Sequence, residues 1–385
     1  MTTTGMQLGP YLLRKRLGTG GMASVWTAVD GAGRALVIKR ILPSLAADAE
    51  FVAMFDYEAR LSARMNHCNI VRVLDHGDYE GERYLAMEEL DGRDLSTVMM
   101  AAVGSGGSPS PALGAYVARE AARALAYVHA LTGDDGKPLD LVHRDVSLSN
   151  VMLGFDGSVK LLDFGVAKAL GEQRTQRTQA GVLKGKWSYL APEQIEGGEV
   201  DQRADLFALG IVLWEMLTGK RLFKAATGLE TLEKVRAARV LPPSTLNAQV
   251  PPALDAIVLK ALAKAPGDRW RSAAELAAAL DKVVTTLGFD RRRLMTTMAT
   301  LFPDDAPLWG EEDTQPMPRV DGEWLNLHEE VTGRLVPPSS LPPLRLPPLP
   351  QRARARLWRL LIAAALAALL GGFTGWQISL LHAAR

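Results

Sequence analysis

One stretch constrains this chain more than any other. His143-Arg144-Asp145-Val146-Ser147-Leu148-Ser149-Asn150 leads into a short apolar run at Val151–Leu153, a second at Val159–Leu162, and then Asp163-Phe164-Gly165. The turn residues around Phe155-Asp156-Gly157 make the two runs a β-hairpin. A hairpin brings its open ends together, so Asn150, just before the first strand, and Asp163, just after the second, should meet at one edge of a sheet. Their oxygens suit a magnesium ion that carries phosphates. Asp145, five residues before Asn150, should reach the same place and could accept a proton from an attacking hydroxyl. One such residue in a loop most often caps a turn. Three at this spacing point to a site that handles phosphate.

The rest of the chain supplies matching parts. Leu17-Gly18-Thr19-Gly20-Gly21-Met22-Ala23-Ser24-Val25-Trp26 lies between two strand-like runs. Its glycines permit a tight turn and a close backbone approach to phosphate, although a glycine-rich hairpin by itself is more often only a turn. Ala35–Ile38 is apolar and ends at Lys39, a point charge placed to hold phosphates. In the helical stretch Glu50–Met65, the positions Phe51, Met54, Phe55, Glu58, Leu61 and Met65 share one face, and Glu58 falls inside the apolar stripe. A buried carboxylate needs a partner, and Lys39 is the candidate; Asp56 and Arg60 read as solvated neighbours.

Together these residues resemble the eukaryotic-type (Hanks-type) serine/threonine protein kinase family, of bacterial style, over about residues 11–287. The resemblance implies an α+β bilobal protein kinase fold, with a small β-rich lobe at 11–90 and a larger helical lobe at 91–287. It implies that Leu17, Gly18, Gly20 and Val25 cover ATP, and that Lys39 contacts the phosphates and pairs with Glu58. Met87-Glu88-Glu89-Leu90 would form the gatekeeper and hinge, whose backbone would hold adenine. Asp145 would be the catalytic base, and Asn150 and Asp163 would bind Mg2+. Glu193 of Ala191-Pro192-Glu193 should pair with Arg269, and Asp205 should brace the catalytic loop.

Three positions depart from the family pattern. Ala23 replaces the third loop glycine. Ser147 stands where serine/threonine kinases carry a lysine two residues after the base, and Lys186 stands where a threonine is usual. A swap would account for both, with the cation reaching the site from Lys186 and the hydroxyl coming from Ser147; the alternative is that Lys186 is a surface residue and the enzyme is slow. The competing reading is a pseudokinase, a nucleotide-binding membrane scaffold without catalysis. Thr175 and Thr178 lie in the polar run Glu172–Thr178, where an added phosphate could pair with Arg144.

Beyond the kinase-like part, a polar extension is expected at 288–335, a proline-rich and basic linker at 336–356, and a transmembrane helix at 357–381. Leu360–Leu381 carries no charge and follows Arg352, Arg354, Arg356 and Arg359. That length spans a bilayer, and the arginines place the amino-terminal side in the cytoplasm. The expected location is therefore the cell membrane, with a single pass and a cytoplasmic kinase domain. No secretion signal precedes it. A formal charge of +1 gives no reason to expect nucleic acid as a partner. The expected partners are protein substrates, the membrane, and a second copy for trans-autophosphorylation. Cys68, the single cysteine, is expected to pack as a small apolar residue.

Overall fold

The computed structural model describes residues 5–104, 110–163 and 187–305. Lys186, Thr175, Thr178, Phe164 and Gly165 lie outside the described residues, as do the 336–356 linker and the 357–381 segment. The chain divides into a main unit, Met1–Thr132 with Lys137–Met317, and a second, Gly133–Gly136 with Pro318–Arg385. In the second, the described residues form a turn closed by the Gly136 N–H donating to the Gly133 carbonyl at 2.9 Å. The described strands and helices belong to the main unit.

The amino-terminal part is an antiparallel sheet of β1 (Met6–Leu8), β2 (Tyr11–Thr19), β3 (Ala23–Val29), β4 (Ala35–Ile41), β5 (Val73–Tyr79) and β6 (Glu82–Glu88), in the order β1-β2-β3-β4-β6-β5. The small lobe thus begins ahead of Tyr11, because β1 pairs with β2 through Leu8 and Tyr11. Between β4 and β5 come α1 (Pro43–Ala46) and α2 (Ala49–Ala63). Asp48 starts α2 by accepting from the Glu50 and Phe51 N–H groups. The face carrying Met54, Phe55, Glu58 and Leu61 is buried, as the helical spacing of apolar residues requires. Asp56 is not merely solvated, since Arg83 of β6 donates to it at 3.2 Å.

The larger part packs around α6 (Arg203–Thr218), whose residues from Ala204 to Thr218 are all buried. A helix apolar on every side can lie only inside a core. It stops at Gly219, whose φ of +69° supplies the left-handed cap. Around it lie α3 (Leu95–Gly104), α4 (Pro111–His129), α5 (Pro192–Glu196), α7 (Gly228–Ala237), α8 (Pro252–Ala261) and α9 (Ala273–Leu287). A small antiparallel sheet of β7 (Gly92–Asp94), β8 (Val151–Gly154) and β9 (Val159–Leu161) sits beside them.

The packed fold runs past Leu287. Helix α10 (Arg291–Leu301) buries Leu294 and Met298 completely. Arg291 donates to the Asp156 carbonyl at 2.7 Å and to its carboxylate at 2.9 Å, and Phe302 meets Phe155 edge to face at 6.4 Å. Residues 291–302 are therefore part of the kinase-like core rather than of a polar extension. Gly157 is required at the hairpin turn, because its φ is +78° and a Cβ there would strike Arg291 and Met295. Cys68 is exposed, not packed, on the wall of a groove of about 520 Å³ shared with His67, Glu120, Arg123 and Tyr127.

Candidate active site

The catalytic loop is suspended from one buried carboxylate. Asp205, in the first turn of α6 and 1% exposed, accepts from the backbone N–H of His143 and of Arg144, each at 2.8 Å, and lies 2.8 Å from His129 Nε2 at the end of α4. A carboxylate at a helix amino terminus is also favoured by the helix dipole. These bonds hold Arg144 at a φ of +62°, a left-handed conformation that a non-glycine residue keeps only when its surroundings enforce it. The His143 ring then ties this loop to the hairpin. Its Nδ1 accepts from the Asp145 N–H at 3.3 Å, so Nε2 carries the proton and donates to the Leu162 carbonyl at 3.1 Å. Burial pushes the His143 pKa below its ordinary value, and the imidazole is neutral.

The hairpin places its ends as its sequence demands. Val151, Met152 and Leu153 pair with Leu161, Lys160 and Val159, and the Leu162 N–H donates to the Asn150 carbonyl at 2.9 Å. Asn150 Nδ2 donates to the Asp145 carboxylate at 2.9 Å and to its carbonyl at 2.8 Å. With its nitrogen committed, Asn150 turns only its amide oxygen to any cation. Ser147 is 2% exposed, and its hydroxyl lies 3.2 Å from that of Ser149.

On the opposite side, Lys39 Nζ bonds Glu58 Oε1 at 2.9 Å and Asp163 Oδ1 at 2.8 Å. The pair expected from the apolar stripe is therefore present, and the same lysine links the two lobes. Burial works against the charged amine, but the Asp163 and Glu58 carboxylates outweigh it and hold its pKa above the ordinary value. Burial also pushes the Glu58 carboxyl up, against the attraction of Lys39. Asp163, like Arg144, has a positive φ, +43°.

The remaining cofactor candidates belong to the small lobe. Gly18 pairs with Val25 and Thr19 with Ser24, and the Gly20 N–H closes the turn on the Ala23 carbonyl at 2.9 Å. Leu17 is 55% exposed and Val25 half-buried. Met87 is buried, close to Glu58, Val71, Val73, Leu85 and Asp163. The Glu88 side chain accepts from the Arg72 N–H at 2.8 Å and from Lys160 Nζ at 2.5 Å, pinning the expected hinge to β9, while it is the backbone of this segment that the family resemblance assigns to adenine. Leu90 is half-buried just beyond β6.

Two further clusters tie residues 189–193 to α6. Arg269, 2% exposed, grips Glu193 with two bonds of 2.7 Å and also donates to the carbonyls of Ala263, Lys264 and Arg203. The second was missed from sequence. Tyr189 donates to buried Glu215 of α6 at 2.8 Å, Glu215 pairs with Arg221 at 3.2 Å, and the Arg221 guanidinium sits 5.2 Å from the Tyr189 ring centre. The signal that could have exposed it is a lone acid inside the apolar run of α6.

The protein kinase domain family matches residues 11–279. The chain belongs to the protein kinase family. Among its relatives, the tyrosine-protein kinase MasK of Myxococcus xanthus is 45% identical over 278 residues, covering 71% of this kinase and 43% of MasK. The serine/threonine-protein kinase PknB of Mycolicibacterium smegmatis is 34% identical over 332 residues, covering 84% of this kinase and 51% of PknB. The crystal structure of the Mycobacterium tuberculosis PknI kinase domain matches with a TM-score of 0.54 at 27% identity, covering 73% of this kinase and 99% of that domain. The kinase spans about half the length of the curated relatives it matches. Its bilobal fold, with a β-rich amino-terminal lobe and a helical carboxy-terminal lobe, is that of the family.

Protein kinases use ATP and a divalent metal, and the donors here fit both. The oxygens of Asn150 and Asp163 are hard ligands for Mg2+, which needs only one or two protein groups when phosphates complete its shell. Lys39 is a fixed cation beside them. Among the described residues no group of three His, Cys, Asp or Glu side chains gathers as a metal cage elsewhere.

Proposed function

We propose that this kinase transfers the γ-phosphoryl group of ATP to serine and threonine hydroxyls of proteins. The observation that carries the reading is one continuous set of bonds from Glu58 through Lys39 to Asp163, facing the Asp145–Asn150 pair across the cleft. A scaffold would have no use for a base and metal donors kept in register. Asn150 and Asp163 would hold Mg2+, which supplies charge neutralisation on the transferring group. The chain's own residues do the rest. Glu58 orients the Lys39 amine toward the phosphates, and Asp145, steadied by Asn150, takes the proton of the acceptor hydroxyl. The buried Ser147 leaves the usual lysine position without a cation, and Lys186 supplies that charge.

A second reading, transfer to tyrosine, is favoured by Ser147 and by the name of the 45% identical relative. Phosphoamino-acid analysis of the autophosphorylated protein decides between them. Phosphoserine or phosphothreonine supports the first reading, and phosphotyrosine alone overturns it. Lys186→Met should lower the transfer rate; an unchanged rate would discard that role. Thr175 and Thr178 are the proposed autophosphorylation sites, where phosphate would pair with Arg144.

We place the kinase on the cytoplasmic face of the cell membrane, tethered by a single span at 357–381. The support is the uncharged run Leu360–Leu381 behind four arginines. Among the described residues no helix is long and apolar enough to cross a membrane. Tethering confines copies to two dimensions and favours trans-autophosphorylation by a homodimer. Activity per molecule should rise with density on vesicles, and density-independent activity would refute the pairing.

A further inference from the structure

The family match ends at residue 279, and α10 with the turn after it lies beyond that limit. This added segment touches the strand that follows the hinge. Arg93 of β7 pairs with the Asp305 carboxylate at 2.5 Å. Its guanidinium stands 5.5 Å from the centre of the Phe155 ring and 5.8 Å from that of Phe302. The two rings meet edge to face, so one half-buried cation serves both.

The connection between the lobes is fastened at the same place. Glu88, at the end of β6, is held by Lys160 of β9, and the Asp91 carbonyl accepts from the Phe155 N–H at 2.9 Å. Strand β7 then pairs with β8 from Gly92 to Asp94, and Gly92 permits that approach, because a Cβ there would run into the Leu153 carbonyl. The connection is thus bound at both ends to the β8–β9 hairpin, whose open end carries Asn150 and Asp163. The closed end of the hairpin is gripped by the added segment: Arg291 bonds Asp156, and Phe302 meets Phe155. Leu294 and Met298, both fully buried, fix α10 to the core behind this grip.

Backbone that must hold a ligand binds it more tightly when it is ordered beforehand. Residues 89–91 belong to no strand or helix, so their order comes from the hairpin and from the cluster around Arg93. We propose that Arg93, clasped by Phe155, Phe302 and Asp305, is a positioning residue for the nucleotide: it holds the connection between the lobes in the geometry that receives adenine. The inference rests on the kinase reading of this connection as the hinge, and not on which hydroxyl accepts the phosphoryl group. It makes residues 291–305 a support of the nucleotide site that acts through the hinge rather than by contact.

The test measures the Kd of magnesium ADP by titration calorimetry on the 385-residue protein, beside a thermal melt of each variant. Arg93→Met keeps an apolar stem and removes the cation. It should weaken binding by about fivefold, the size of one partly desolvated cation–aromatic contact, while the protein still melts cooperatively. Phe302→Leu should weaken binding too, and in the double variant the two losses should fall short of their sum, because both open the same clasp. Asp305→Lys, at an exposed position, should act in the same direction by about twofold at low salt and fade as salt rises. An unchanged Kd in a cooperatively melting Arg93→Met protein overturns the positioning role, reduces Arg93 to packing, and leaves the kinase reading standing. Should Arg93→Met fail to fold, an unchanged Kd in Asp305→Lys at low salt overturns the proposal in its place. No binding of magnesium ADP by the unaltered protein overturns the nucleotide site itself and this inference with it.

Discussion

On the large-lobe side of the cleft, the catalytic loop hangs from Asp205, a carboxylate 1% exposed in a helix buried on every side. On the small-lobe side, Lys39 depends on Glu58, which belongs to α2, a helix with an exposed face and a single buried stripe. The first arrangement cannot move without opening the core. The second can swing as one helix pivots, breaking a single ion pair. The loop that carries Asp145, the proposed base, is thus a fixed part of the fold, whereas the setting of Lys39, the proposed phosphate ligand, depends on the position of α2.

Substitutions should separate the two sides. Glu193→Ala strands the fully buried Arg269 guanidinium and should cost about 3–5 kcal/mol in urea unfolding, with activity lost through unfolding. Arg269→Lys with Glu193 intact should also destabilise the fold, because a lysine cannot make the paired bonds to that carboxylate. Glu58→Gln is expected to reduce the transfer rate while costing less stability than Glu193→Ala, because the amide can still accept a hydrogen bond from Lys39 and Asp163 still neutralises that amine. A large stability loss in Glu58→Gln would erase the contrast between the two sides.

How much of this was legible in the sequence varies with the physics of each contact. Glu58 could be read because a carboxylate in an apolar stripe is costly without a partner, and the hairpin because its strands and turn are local. Asp205 and Arg269 came only with the family resemblance, since their partners lie 61 to 76 residues away. Helix α10 was hidden by its own composition. Three arginines and a run of threonines read as polar, and only Leu294 and Met298 reach the core. The pairing of the Glu88 side chain with Lys160 was not read from the sequence, because no local pattern announces a contact 72 residues away.

Smaller effects sharpen the comparison further. His143 is buried with a depressed pKa, so below its ordinary value of about 6.5 the unfolded chain takes up a proton that the folded chain refuses. Stability should therefore fall by up to about 1.4 kcal/mol per pH unit as the pH drops through that window, and His143→Gln should flatten the slope in thermal melts. A flat wild-type profile between pH 5 and about 6.5 would contradict the neutral, buried imidazole. Arg291→Ala removes a half-exposed pair with Asp156 and should cost less than about 1 kcal/mol, read from the urea midpoint.

Phosphate incorporation from labelled ATP with magnesium, comparing the 385-residue chain with Asp145→Asn, tests the central claim most directly. The account predicts label on serine or threonine that falls by about 10²- to 10⁴-fold in the variant while nucleotide binding and the melting curve stay in place. Nucleotide binding with no label in either protein would contradict it and make the chain a nucleotide-binding scaffold.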